Sequence, residues 1–277
     1  RIIYCATSGF GQDGPHSQWA GHDVNYLAVG GFLGCTAKGE HGVPPLPGGT
    51  IADSAGGGMH AVIAVMAALV NREKTGKGEY LDVSIADGVL SFMALYVDQY
   101  LATDHEVGPE TAMLTGRYAC YNTYRTQDDR GISVGAIEPA FWKNLCELTG
   151  LEKWIKHQTD EEVREQVTAD FREVFLTKTR DEWTELLAAS NTCVAPILSM
   201  SEIAGDPQYQ ARNAFVEATH PEKGSFQQVG PVLAGGDRSI KSYDVPDLAV
   251  TDTEKVFGET GMSPEEVSKL RESGVLN

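Results

Sequence analysis

Helical and strand periods alternate along this 277-residue chain in an order that lays out its elements. Ile2 to Ala6 is a short apolar run of buried-strand type, followed by the glycine-rich loop SGFGQDGP. From Asp23 the pattern turns helical, with Tyr26, Leu27, Val29 and Gly30 on one packed side. A spacer with turn chemistry, KGEHGVPPLPGG, leads to IADSAGGGMH. Beyond its three glycines, Met59, Val62, Ile63, Met66, Leu69 and Val70 recur at helical spacing until charge returns at Arg72, Glu73 and Lys74. Tyr80 to Ile85 alternates as a strand, and a long apolar helix is predicted over 86–102. This βαβ-like order predicts an α/β region with a partly parallel sheet.

After a polar linker at 104–117 the texture changes. YACYNTYR and ISVGAI read as two strands joined by the turn QDDRG, and helices follow. Thr159 with Glu162, and Thr179 with Glu182, carry the capping-box spacing ahead of apolar runs. CVAPILS is strand-like, a helical segment from Ser201 breaks near Asp206–Pro207, and Phe215 to Val216 with HPEKGSFQQVGP suggests a hairpin or an extended return. Trp142, Trp154 and Trp183 are expected in the core, and His157 at the solvated surface. In the tail, Ser263 is the predicted N-cap, Pro264 the first helical residue, Glu266 the reciprocal cap and Gly274 the stop. The resulting division is 1–103, linker 104–117, an α+β domain at 118–228, and a return segment with the last helix at 229–277.

Composition narrows the class. A hydrophobic content of 42% supports a real core. The formal net charge of −17 disfavours nucleic acid and anionic membrane as partners, since both need a basic footprint. Cys5, Cys35, Cys120, Cys146 and Cys193 are scattered and lack CxxC spacing, as expected for free buried thiols. No apolar run of membrane-spanning length and no signal peptide is visible, so a soluble, cytoplasmic protein is expected. The chain opens directly on a strand-like run, RIIYCATSGFGQ, and part of a sheet is expected to precede it.

The candidate chemistry centres on His22 and Asp53, each beside glycine at the edge of a predicted element. An aspartate at a helix start is commonly an N-cap and a histidine there a structural residue. The functional alternative is that the N–H groups of the Asp53 turn hold a developing oxyanion, each worth roughly 3–4 kcal/mol. Glycine at Gly56, Gly57 and Gly58 lets a ligand or another backbone approach closely. A third candidate, Glu138, lies between the predicted strand ISVGAI and the helix start PAFW.

AGHDVNY, ADSAGGGMH and VGAIEPAFW, with SGFGQDGP, KTGKGEYLDVSIADG, YNTYRT and the SPEEVSKLRESGV terminus, carry a resemblance over essentially the whole chain. It resembles the 2-methylacyl-CoA racemases of the CaiB/BaiF (family III) CoA-transferase superfamily. The resemblance implies a Rossmann-like large domain, here its C-terminal portion at 1–103, and a smaller α+β domain. It implies an interlocked homodimer with sites between the large domain of one subunit and the small domain of the other. On this pattern His22, Asp53 and Glu138 are catalytic, while Gly21, Asp23, Asn25 and Tyr26 line the acyl-CoA site. No cofactor is implied, CoA being part of the substrate. Inverting the carbon beside a thioester carbonyl needs an acid/base group on each face: His22, held by Glu138, on one and Asp53 on the other. A family III CoA-transferase with Asp53 as covalent nucleophile is the alternative. A third reading is an inactive fragment or homologue, an acidic scaffold.

Overall fold

The computed structural model describes residues 1–247 and 251–276, so part of the expected return segment lies outside the described residues. Contacts divide the chain into Arg1–Ile197 and Leu198–Asn277. The sequence texture instead drew its divisions at 103, 117 and 228. Both units mix helices and sheet.

In the first unit, β1 (Ile3–Ser8) leads to α1 (Asp23–Val29) and the short α2 (Phe32–Cys35). A π-helical segment, Ala52–Met59, runs straight into α3 (His60–Thr75). Next comes β2 (Glu79–Ser84), parallel to β1 in a register that pairs Ile3 with Glu79 and Ser8 with Ser84. Gly78 turns into β2 so close to Ile2 that a Cβ there would overlap the Ile2 carbonyl. The expected helix over 86–102 is two, α4 (Ile85–Phe92) and α5 (Ala94–Thr103), broken at Met93, whose φ of −90° and ψ of 0° leave the helical region.

Two of the three glycines of the π-helical segment, Gly56 and Gly57, serve packing. A Cβ on Gly56 would press on the Ile85 carbonyl at 3.0 Å, and one on Gly88 would overlap the Gly56 backbone. Backbone meets backbone there, which glycine alone permits. Around this contact lies a small buried cluster of Tyr26, Leu27, Ala52 and Val89. Val29, expected on the packed side of α1, is exposed.

The apolar positions of α3 do not enter a core. Met59, Val62, Ile63, Met66 and Val70 are all about half or more exposed, and so are Ile2, Tyr4 and Tyr80 on the adjoining strands. The π-helical segment and α3 together, Ala52–Thr75, are long and apolar enough to cross a membrane by length and composition. The reading by uninterrupted apolar runs missed this, because Asp53 and the glycines break the run.

The rest of the unit is denser. β3 (Tyr121–Arg125), β4 (Gly131–Gly135) and β5 (Val194–Pro196) form an antiparallel sheet in that order. In sequence between β4 and β5 come α6 (Pro139–Thr149), α7 (Arg164–Phe175) and α8 (Arg180–Leu187). Trp142, Phe171, Phe175, Trp183 and Leu187 are buried together, with Trp154 packed against them, as the pattern predicted. The Thr179–Glu182 capping box forms, but Thr159 caps nothing: α7 starts at Arg164, and Asp160 instead accepts the Glu162 N–H at 3.0 Å. His157 is half-exposed and paired with Asp160 at 2.8 Å. Of the cysteines expected to be buried, Cys120 and Cys146 are, whereas Cys193 is exposed.

The second unit holds α9 (Met200–Gly205), α10 (Pro207–Ala211), a sheet of β6 (Phe215–His220), β7 (Gly224–Val229) and β8 (Ser242–Asp244), then α11 (Thr253–Glu259) and α12 (Pro264–Glu272). The helix break at Asp206–Pro207, the β6–β7 hairpin and the Ser263–Glu266 cap stand where the pattern put them.

Candidate active site

His22 is the N-cap of α1, in an extended conformation. Asn25 Oδ1 accepts the His22 backbone N–H at 3.0 Å and ties the turn shut. That bond holds the backbone and leaves the imidazole exposed, with no hydrogen bond among the described residues. The turn is backed by an aromatic seat. The Tyr26 hydroxyl donates to the Gly21 carbonyl at 2.6 Å, and its ring meets Phe10 edge-on at 5.1 Å. A Cβ on Gly21 would lie 2.8 Å from the Tyr26 ring, and one on Gly9 would overlap it. Gly21 is therefore needed to seat Tyr26. Burial pushes the Tyr26 phenol up, and the Asp53 carboxylate adds to the shift, so Tyr26 stays neutral.

Asp53 sits in the first turn of the π-helical segment, one residue inside its start, and is not the N-cap. Its own N–H donates to Asp23 Oδ2 at 2.9 Å, a bond that reaches back thirty residues and fastens the segment to α1. The Ser54 N–H goes to the Thr50 carbonyl at 2.9 Å. Two N–H groups that the sequence reading offered to an oxyanion are thus already engaged, because the helix begins earlier than expected. The Asp53 carboxylate is exposed and has no ion pair or hydrogen bond among the described residues. Through Asp23, the turn that bears His22 and the turn that bears Asp53 are joined in one seam.

Glu138 stands apart from that seam. It is the N-cap of α6, with Pro139 following at the first helical position, and its carboxylate makes no capping bond. Gln158 Nε2 donates to the carbonyls of Ala136 and Ile137 at 2.9 and 2.6 Å, fixing the strand-to-helix turn that presents Glu138. Gln158 was not singled out in the sequence, since its partner carbonyls lie 21 and 22 residues away. Among the described residues, no hydrogen bond or ion pair joins Glu138 to His22 or Asp53. His22, Asp53 and Glu138 are all exposed. No group of three His, Cys, Asp or Glu among the described residues is placed to hold a metal.

The profile of CoA-transferase family III matches residues 1–248. Alpha-methylacyl-CoA racemase of Homo sapiens is 31% identical over 278 residues, which cover all of this chain and 72% of that protein. Formyl-CoA:oxalate CoA-transferase of Streptomyces avermitilis is 30% identical, again over all of this chain and 72% of the relative. A crystal structure of a CAIB/BAIF family protein from Brucella suis superposes with a TM-score of 0.70 at 23% identity. That match covers 95% of this chain and 68% of the other, and it bears on the fold alone.

Proposed function

We propose that this chain, which belongs to CoA-transferase family III, inverts the α-carbon of 2-methylacyl-CoA thioesters by proton transfer through an enolate. The observation that carries the proposal is the Asp53 N–H bond to Asp23, which ties the turn bearing His22 to the turn bearing Asp53. Both side chains are exposed and free of competing bonds, as groups that must meet a substrate proton have to be. One removes the α-proton and the other returns a proton on the opposite face. Such a pair contributes about 10²–10⁴-fold each to rate when positioned. Tyr26, Gly21, Asp23 and Asn25 hold the seam and line the thioester. The site calls for no resident cofactor, because CoA arrives with the acyl group.

In this proposal Glu138 comes from a second copy of the chain in an interlocked homodimer and pairs with the His22 imidazole. Support comes from two facts. The Glu138 carboxylate is exposed and uncapped, and the His22–Asp53 seam faces open surface that a second copy can close.

A CoA-transferase reading has its own support in the bond-free Asp53 carboxylate. There Asp53 Oδ attacks the thioester carbonyl, a mixed anhydride forms and CoA leaves as thiolate. Two incubations, without and with an acceptor acid, separate the two. A single enantiomer of a 2-methylacyl-CoA, held in deuterated buffer without an acceptor acid, is expected to gain α-deuterium and lose optical purity. Transfer of labelled CoA to an added carboxylic acid, with no α-exchange, overturns the racemase.

A further inference from the structure

The second unit contains a cavity unrelated to the seam described above. It is a half-open hollow of about 350 Å³ between α9, the end of α10 and the open ends of β6 and β7. Its walls are mostly apolar: Ile203, the Tyr209 ring, Phe215 and Val232 take part. Two arginines, Arg212 and Arg238, complete the lining.

The charge of those arginines sets the site apart. Neither has an ion pair among the described residues, in a chain that carries 39 acidic residues against 22 Lys and Arg. Arg238 donates from Nη1 to the Arg212 carbonyl at 3.0 Å and from Nη2 to the Val232 carbonyl at 2.6 Å. Neutral carbonyls fix the guanidinium in place without neutralising it, and its remaining N–H groups are left over. The Arg212 guanidinium has no ion pair or hydrogen bond among the described residues. Lys241, the next cation along, is held by the neutral Asn213 Oδ1 at 2.9 Å. Asp237, next to Arg238 in sequence, turns its Oδ1 to the Ser239 N–H and hydroxyl and forms no ion pair with either arginine among the described residues. The result is a fixed positive edge on an apolar hollow.

From this we infer a second binding site, for a small carboxylate with an apolar or aromatic body. The carboxylate is bound by Arg212 and by the free edge of Arg238, and the body lies against Phe215, Val232 and the Tyr209 ring. The planar guanidinium matches a carboxylate in a two-point contact that a neutral amide cannot make. The hollow is at the small end of ordinary ligand sites, which suits a compact acid and excludes CoA itself. This site is independent of the proton-transfer chemistry and stands or falls apart from it.

The test is a ligand-observed ¹⁹F titration of the full chain with 4-fluorophenylacetate and, in parallel, 4-fluorophenylacetamide. The acid is expected to saturate, to bind about tenfold or more tighter than the amide, and to weaken as salt is added. Arg212→Gln is expected to bring the acid down to the affinity of the amide. Hydrogen exchange should slow in β6 and the end of β7 when the acid is bound. Arg238→Gln also releases two backbone carbonyls, so Arg212→Gln is the deciding variant. Equal binding of acid and amide, unchanged binding to Arg212→Gln, protection confined to the His22–Asp53 seam, or no saturable binding each overturns the site.

Discussion

The region around β3–β5 and the region around β1–β2 treat their apolar residues in opposite ways. In the former, Trp142, Phe171, Phe175 and Trp183 close on one another and are essentially inaccessible. In the latter, only Tyr26, Leu27, Ala52 and Val89 form a buried cluster, while Ile63 is 67% and Val62 63% exposed. The same helical periodicity thus yields a filled core in one place and an apolar outer face in the other. Two of the three candidate catalytic residues, His22 and Asp53, lie in the underfilled region, on surface that its own residues do not enclose. The third, Glu138, is presented by the filled one. A densely packed region presents one candidate and an open region presents two.

That contrast can be broken by substitution. The largest effect is expected from Trp142→Ala, which empties a closed aromatic core and should cost about 3–5 kcal/mol in urea unfolding. A loss near that of a surface change would mean that the core is looser than its burial indicates. Gly88→Ala is next: its Cβ meets the Gly56 backbone, which cannot swing away as a side chain would. A loss of about 1–3 kcal/mol, with α4 displaced from the π-helical segment, is expected. Ile63→Ala should change the stability of the isolated chain by about 0.5 kcal/mol or less. A loss of core size would show that something covers α3 in solution, and equilibrium sedimentation of the same variant would tell whether a second copy does.

The smallest expected effect concerns pH. The Arg117 guanidinium, and then the Tyr118 hydroxyl, hold the Glu161 carboxyl down at about 2, below its ordinary 4.5. A folded-state value lower than the unfolded one stabilises above the ordinary carboxylate range, and that contribution fades as pH falls from 4.5 toward about 2. Glu161 is well exposed, so the contribution is small. Glu161→Gln should flatten that part of the acid limb in a pH series of thermal melts. An unchanged limb would assign it to other carboxylates.

Local signals were the legible ones. Thr179 with Glu182, and Ser263 with Glu266, cap their helices because a cap needs only the next turn. Thr159 with Glu162 has the same spacing, but Asp160 takes the Glu162 N–H and the helix starts later. Longer-range features left little trace in the sequence. The Gly56–Gly88 contact and the Asp23–Asp53 bond each span about thirty residues, and no periodicity reports them. Periodicity identified the apolar side of α3 correctly as a side, but a stripe does not say whether anything packs on it. His22, Asp53 and Glu138 were marked by resemblance far more than by their spacing. The structure adds Gln158 as the residue that fixes the Glu138 turn.

In the proposed reaction two different groups serve the two faces of one carbon. The decisive measurement follows α-deuterium uptake into each enantiomer of a 2-methylacyl-CoA separately, with His22→Ala and with Asp53→Asn. Both variants are expected to lose inversion, and each to keep exchange on one enantiomer only, opposite for the two. If Asp53→Asn still inverts the substrate, or if both variants lose exchange on the same enantiomer, the two-face assignment is contradicted.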